Sequence, residues 1–116
     1  MDRRADIVVT GIGLVTPVGQ DLEQIFEALC TGRSGLVRTP EGHPAQGSLE
    51  VMGKGPDISA ADVLPGPESR TLDRYIVHAL VAAELAMADA DLVVGRDVDP
   101  DRADTVGSGT GGLATL

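Results

Sequence analysis

Tryptophan is absent from this sequence, and the remaining aromatics are one Phe and one Tyr, Phe26 and Tyr75. A core built without them must rest on Val, Leu, Ile and Ala, side chains that suit close contact between helices and sheet. Cysteine is almost absent too. Cys30 stands alone, which excludes an internal disulfide and a CxxC metal pair, and leans toward a reducing, cytoplasmic setting. Positive charge is scarce: 9 Lys and Arg face 18 Asp and Glu, for a net charge of −9. So acidic a chain carries no electrostatic footprint for nucleic acid or for an anionic membrane. Long apolar runs are missing, and none approaches the roughly 20 residues that span a bilayer. The opening MDRRADIVVTG has a run too short for a signal peptide, and reads as mature protein starting with a strand.

Enough apolar residue is present, 42% of 116, to read the chain as globular, either one small domain or a piece of a larger one. Ile7–Thr10 is a short β-branched run closed by Gly11, the pattern of a strand buried on both faces. Gly11, Gly13, Pro17 and Gly19 then mark a turn-rich segment. From Asp21 to Cys30 the spacing turns helical, with Leu22, Ile25, Phe26 and Leu29 on one face. Asp21 and Glu23 suit its N-terminus and Gly32 its C-terminal cap.

Between 38 and 58, three Pro and four Gly break any long element, though a short strand fits around Ser48–Met52. Ser59 is placed to cap a short helical turn through Val63, stopped by Pro65. A long helix is expected from Glu68 to Ala90, because Leu72, Tyr75, Ile76, Ala79, Leu80, Ala83, Met87 and Ala90 recur at three- and four-residue steps. Between Tyr75 and Ala88 only His78 and Glu84 are polar, so this helix is expected to be internal to something larger than 116 residues. Leu92–Arg102 reads as an acidic loop and Ala103–Val106 as a second strand. The order β–α–loop–α–β points to an α/β sheet protein whose remaining strands lie elsewhere, since two strands make no stable sheet.

Two glycine motifs invite chemistry. VVTGIGLVTPVG places Gly11 and Gly13 after a strand, as in a dinucleotide fingerprint. The third small residue is replaced by Thr16, and Pro17 and Gly19 delay the helix. The better reading is a turn that lets backbone approach closely. GSGTGG at 107–112 lacks the Lys that a P-loop requires, and serves backbone geometry instead. Asp97, Asp99 and Asp101 have calcium-loop spacing, but Arg102 stands where Gly is needed and Ser108 where Glu is needed, so a solvated acidic turn is expected. Cys30, His43 and His78 have no partners at nucleophile or ligand spacing and read as structural or surface residues, while Asp73 and Arg74 read as ion-pairing charges. No metal site and no cofactor is expected.

Three stretches, VVTGIGLVTPVGQDLEQIFEALCTGRSG, ESRTLDRYIVHALVAAELAMADADL and TVGSGTGG, occur in an order and at a spacing that resembles the N-terminal part of a β-ketoacyl-acyl-carrier-protein synthase. The resemblance implies a thiolase-like fold of αβαβα layers in which residues 1–116 form part of the first half. It implies two subunits joined through sheet edges, as a homodimer or a ketosynthase-like heterodimer, and no cofactor. The implied activity is decarboxylative Claisen condensation of acyl and malonyl thioesters on an acyl carrier protein, in fatty-acid or type II polyketide biosynthesis. The family's Cys and two His lie beyond residue 116, so Cys30, His43 and His78 match none of them and residues 1–116 alone are expected to be inactive. The resemblance places Gly109 and Thr110 at the acyl pocket, with Thr110 where a bulkier aliphatic gate is common. It places Arg70 at a contact with the carrier protein, with Pro67 and Thr71 departing from neighbours that are often basic. Residues 38–60 depart as well. A second implied reading is the catalytically silent partner subunit that sets chain length. From other classes, a nucleotide-binding α/β module using Gly11 and Gly13, or a non-enzymatic interaction fragment, stay open.

Overall fold

The computed structural model describes residues 6–99 and 107–108. Among them the elements run α1 (Leu22–Cys30), β1 (Leu36–Arg38), β2 (Val51–Gly53), α2 (Ala60–Val63), a 3-10 helix (Pro67–Thr71) and α3 (Arg74–Asp89). The chain is thus mixed helix and strand. The strand expected at Ala103–Val106 lies outside the described residues.

Local chemistry sets both ends of α1. Asp21 sits in extended backbone, and its Oδ1 accepts the Gln24 amide at 2.9 Å. That satisfies one of the donors a helix start leaves over. At the other end Gly32 takes φ +70°, and the Arg33 and Gly32 amides donate back to the Ala28 and Leu29 carbonyls. This paired closure needs a left-handed residue, which glycine supplies without a Cβ clash. Replacing Asp21 with Ala should cost about 1 kcal/mol, read as a lower denaturation midpoint with an unchanged slope; an unchanged midpoint would show the cap contributes nothing.

The buried face of α1 is narrower than its apolar pattern. Ile25 and Ala28 are buried, whereas Phe26 and Leu29 stand about 70% exposed (69% and 70%). The Ile7–Thr10 strand is not formed either. Ile7, Val8 and Val9 are 99%, 70% and 83% exposed, and among the described residues no strand pairs with them. A strand exists only by hydrogen bonding to a neighbour, and none of the described residues provides one.

The one sheet among the described residues is the antiparallel pair of β1 and β2, with Leu36 opposite Gly53 and Arg38 opposite Val51. β2 overlaps the strand expected at Ser48–Met52 only at Val51 and Met52, starting three residues later, and β1 is not marked by the sequence pattern. The pair packs on the Thr16–Gly19 turn, where a Cβ on Gly35 or Gly53 would come within 2.8 or 2.9 Å of Pro17. That turn is closed by reciprocal Thr16 and Gly19 backbone bonds and by the Thr16 hydroxyl donating to the Gly19 carbonyl.

The long helix begins six residues later than its pattern suggests. Residues 67–71 wind as 3-10 helix, Leu72 is extended with ψ 123°, and Asp73 is the N-cap of α3. α2 packs against both the 3-10 helix and α3. α3 is also less enclosed than its composition implies: Val77 is buried, while Tyr75 and Leu80 are 41% and 37% exposed. Its C-terminus closes like that of α1, with Asp91 in left-handed backbone and Leu92 donating to the Met87 carbonyl.

Candidate functional site

Gly11 and Gly13 lie directly on α3. A Cβ on Gly11 would sit 2.8 Å from the Ala90 Cβ and would strike the Ala86 carbonyl oxygen. A Cβ on Gly13 would collide with the Ala82 carbonyl oxygen and the Ala86 amide nitrogen. Between them the Ile12 amide donates to Asp89 Oδ2 at 2.9 Å. Ala82, Ala86 and Ala90 recur every four residues, one small side chain per turn on a single helix face. The glycines are therefore spent on helix contact, as the turn reading expects, and offer no open face to a pyrophosphate. The signal that reveals this in the sequence is the Ala–Ala–Ala spacing set against Gly-x-Gly.

On another part of α3, Tyr75, Ile76, Ala79, Leu80 and Ala83 line an open hollow of about 320 Å³, completed by Ser108. Ser108 belongs to the glycine motif, and its contact with α3 brings the described end of that motif against an apolar stripe. Gly109 and Thr110 follow immediately but lie outside the described residues. A second hollow of about 310 Å³ is walled by Ile12, Leu14, Leu22, Ile25, Phe26 and Leu29. Among the described residues neither hollow is lined by a carboxylate, imidazole or thiol, so the described walls suit apolar groups.

The match to a family model decides what these surfaces belong to: residues 4–115 fit the beta-ketoacyl synthase, N-terminal domain. The chain belongs to the beta-ketoacyl synthase family. It is 38% identical over 113 residues to the tetracenomycin polyketide synthase ketoacyl synthase beta subunit of Streptomyces glaucescens, covering 94% of this chain and 25% of that protein. It is 30% identical over 110 residues to a 3-oxoacyl-(acyl-carrier-protein) synthase 2 of Synechocystis, covering 95% and 26%. A synthase 2 of Staphylococcus aureus matches at 29% over 116 residues, covering 100% and 28%. This synthase-family chain therefore spans about a quarter of the length of the curated relatives it matches.

The other polar residues singled out in the sequence have structural work. Cys30 is exposed at the carbonyl end of α1. His43 shapes the loop between β1 and β2, accepting the Ala45 amide on Nδ1 at 3.1 Å. His78 Nε2 lies 3.1 Å from the Pro56 carbonyl, a contact that requires the proton on Nε2. Asp97 Oδ2 accepts the Val93 amide at 2.9 Å and pairs with Arg96, which makes it a turn residue and matches the acidic-turn reading. No cluster of three metal-ligating side chains occurs among the described residues, and no described helix is long and apolar enough to cross a membrane.

Arg70 is exposed on the 3-10 helix, and among the described residues it forms no ion pair. Four residues on, Arg74 is fully engaged. It pairs with Asp57 Oδ1 and donates to the Pro56 carbonyl at 3.2 Å, while Lys54 donates to Asp57 Oδ2 at 2.9 Å. Hydrogen bonds from Lys54 and then Arg74 hold the Asp57 carboxyl below its ordinary value of 3.8, so it is charged at neutral pH. The sequence reading gave Arg74 an ion pair without finding its partner. Asp57 is 17 residues away across a Gly-Pro loop, and no periodicity marks such a contact.

Proposed function

We propose that the polypeptide carrying this chain is a 3-oxoacyl-acyl-carrier-protein synthase, an acyltransferase of fatty-acid or polyketide assembly. The supporting observation is the family match over residues 4–115, joined by relatives that carry this activity in their names. Residues 1–116 supply the N-terminal part of a thiolase-like αβαβα domain, preceding the catalytic Cys and His. In the reaction a cysteine thiolate attacks the acyl carbonyl of a carrier thioester, forming a Cys thioester and releasing the carrier's thiol. A malonyl thioester then loses CO2, its carbanion attacks the acyl carbonyl, a C–C bond forms, and the cysteine leaves as thiolate. Preorganised donors for the developing oxyanion are what such a step needs, and none is assembled among the described residues, so residues 1–116 alone are inactive.

What this chain contributes on that reading is lining and docking. Gly109 and Thr110 edge the acyl pocket, next to the α3 stripe that Ser108 touches. Arg70 meets an acidic acyl carrier protein. The protein works in the cytoplasm as a homodimer or a ketosynthase-like heterodimer.

A second reading is the silent, chain-length-setting partner of such a heterodimer. Its support is the 38% identity to a ketoacyl synthase beta subunit.

The test is to incubate the complete polypeptide with acyl- and malonyl-carrier protein and follow CO2 release and the β-ketoacyl product by mass spectrometry. Turnover alone supports the synthase. Turnover only with a second ketosynthase subunit, with product length set by this one, supports the silent partner. Absence of turnover both alone and with a second ketosynthase subunit would overturn the reading. Thr110→Ile should cut kcat/KM for the longest acyl substrates about tenfold, the scale of a methylene-sized change in an apolar pocket; unchanged chain-length preference would remove Thr110 from the pocket.

A further inference from the structure

Cations are scarce in this acidic chain, and where they are spent decides what an acidic partner meets. Between residues 54 and 74 stand three, Lys54, Arg70 and Arg74, against four carboxylates, Asp57, Asp62, Glu68 and Asp73. One carboxylate takes two of the three cations: Lys54 Nζ is on Asp57 Oδ2 and Arg74 Nη2 on Asp57 Oδ1. Arg74 also gives its Nη2 to the Gly55 and Pro56 carbonyls, at 3.4 and 3.2 Å. Arg70 is left without an ion pair among the described residues. Its Cα lies within about 14 Å of that of Arg74, the most four residues can span. That is close to one Debye length, about 10 Å at 0.1 M salt.

We infer that Asp57 sets the strength with which this surface holds an acidic protein, by drawing Lys54 and Arg74 into an internal ion pair that leaves Arg70 as the free cation. The inference rests on the reading that Arg70 faces an acidic carrier protein. All three members of the cluster are solvent-accessible, with side-chain exposures of 54% for Lys54, 49% for Arg74 and 73% for Asp57. Pairs this wet contribute little to stability, so both cations can exchange Asp57 for a partner's carboxylate at small cost. With Asp57 charged, an approaching acidic surface competes for Lys54 and Arg74 and meets a stretch of net charge −1 (three cations, four carboxylates). Removing the Asp57 charge brings the stretch to neutrality and frees Lys54 and Arg74 from their ion pairs, Arg74 four residues from Arg70. Charges at such a rim act chiefly on encounter rate and salt dependence.

The experiment is fluorescence anisotropy of labelled holo-acyl carrier protein titrated with the complete polypeptide, at about 50 mM and 500 mM salt, ionic strengths that bracket strong and weak screening. Asp57→Asn should bind roughly threefold tighter at low salt, the scale of one exposed ion pair, with the gain gone at high salt. Adding Lys54→Ala and Arg74→Ala to that variant should abolish the gain. Arg70→Ala should weaken binding with or without Asp57. If Arg70→Ala weakens binding while Asp57→Asn leaves it unchanged or weaker, the docking reading stands and the role of Asp57 is overturned. If neither variant moves the affinity, the docking reading fails and the inference with it. Asp57→Ser serves as the second variant should the asparagine form fold poorly, judged from thermal melts, and the same outcomes decide.

Discussion

Replacing Gly13 with alanine is expected to cost about 3 kcal/mol or more, the upper range for forcing an extra carbon into a packed contact. The atoms in the way are the Ala82 carbonyl oxygen and the Ala86 amide nitrogen, both backbone of α3. A crowded side chain can change rotamer; a helix backbone cannot yield without losing its own hydrogen bonds. The segment cannot swing aside either, because the Ile12 amide is held on Asp89 Oδ2. Gly42 provides the comparison. It has φ +80° and open space around its Cβ position, so alanine there meets only backbone strain, about 1–2 kcal/mol. Denaturant melts of the complete polypeptide carrying each variant separate the two effects. If Gly13→Ala costs no more than Gly42→Ala, the 11–13 segment does not lie on α3, and the dinucleotide reading of Gly11 and Gly13 regains its ground.

What the sequence made legible was what local chemistry decides. Asp21, the apolar spacing behind it and Gly32 mark α1 at both ends, and the structure uses those residues for those purposes. Ser59 and Pro65 flank α2, but the Ser59 side chain makes no capping hydrogen bond, so only the position of the cap is as expected. The start of α3 was misplaced because Glu68–Leu72 is permissive. Its residues accept helical geometry, and nothing in their spacing reveals the extended turn at Leu72 and Asp73. Ile7–Val9 shows the opposite failure. The β-branched run is plain, but a strand is a relation between two segments, and no neighbour for it appears among the described residues. β1 was hidden by brevity, three residues between Gly35 and a Pro-Gly loop. The site divides in the same way. The glycine packing could be read from small residues recurring at helical pitch, whereas the Lys54–Asp57–Arg74 cluster depends on a loop path that no pattern encodes.

Residues 1–116 studied by themselves should bind a hydrophobic dye strongly and melt without a sharp transition. Among the described residues Ile25, Ala28 and Val77 are the buried apolar side chains. Cooperative unfolding requires that most contacts be lost together, and three side chains on two helices give little to lose. Meanwhile Ile7, Val8, Val9, Phe26 and Leu29 each stand at 69% exposure or more. At about 25 cal/mol per Å² of apolar surface, leaving such side chains wet forgoes roughly 1.5–3 kcal/mol apiece. The hollow walled by Ile12, Leu14, Leu22, Ile25, Phe26 and Leu29 is a ready dye site, since no charged side chain among the described residues lines it. Joined to the remainder of a synthase domain, the same surfaces should lose dye binding, and a Val9→Lys change should then be severely destabilising. In residues 1–116 alone that change should leave the broad melt unaltered, as a substitution at an exposed position does. A steep, single melting transition for residues 1–116 alone, with no dye bound, would show that these apolar faces need no cover.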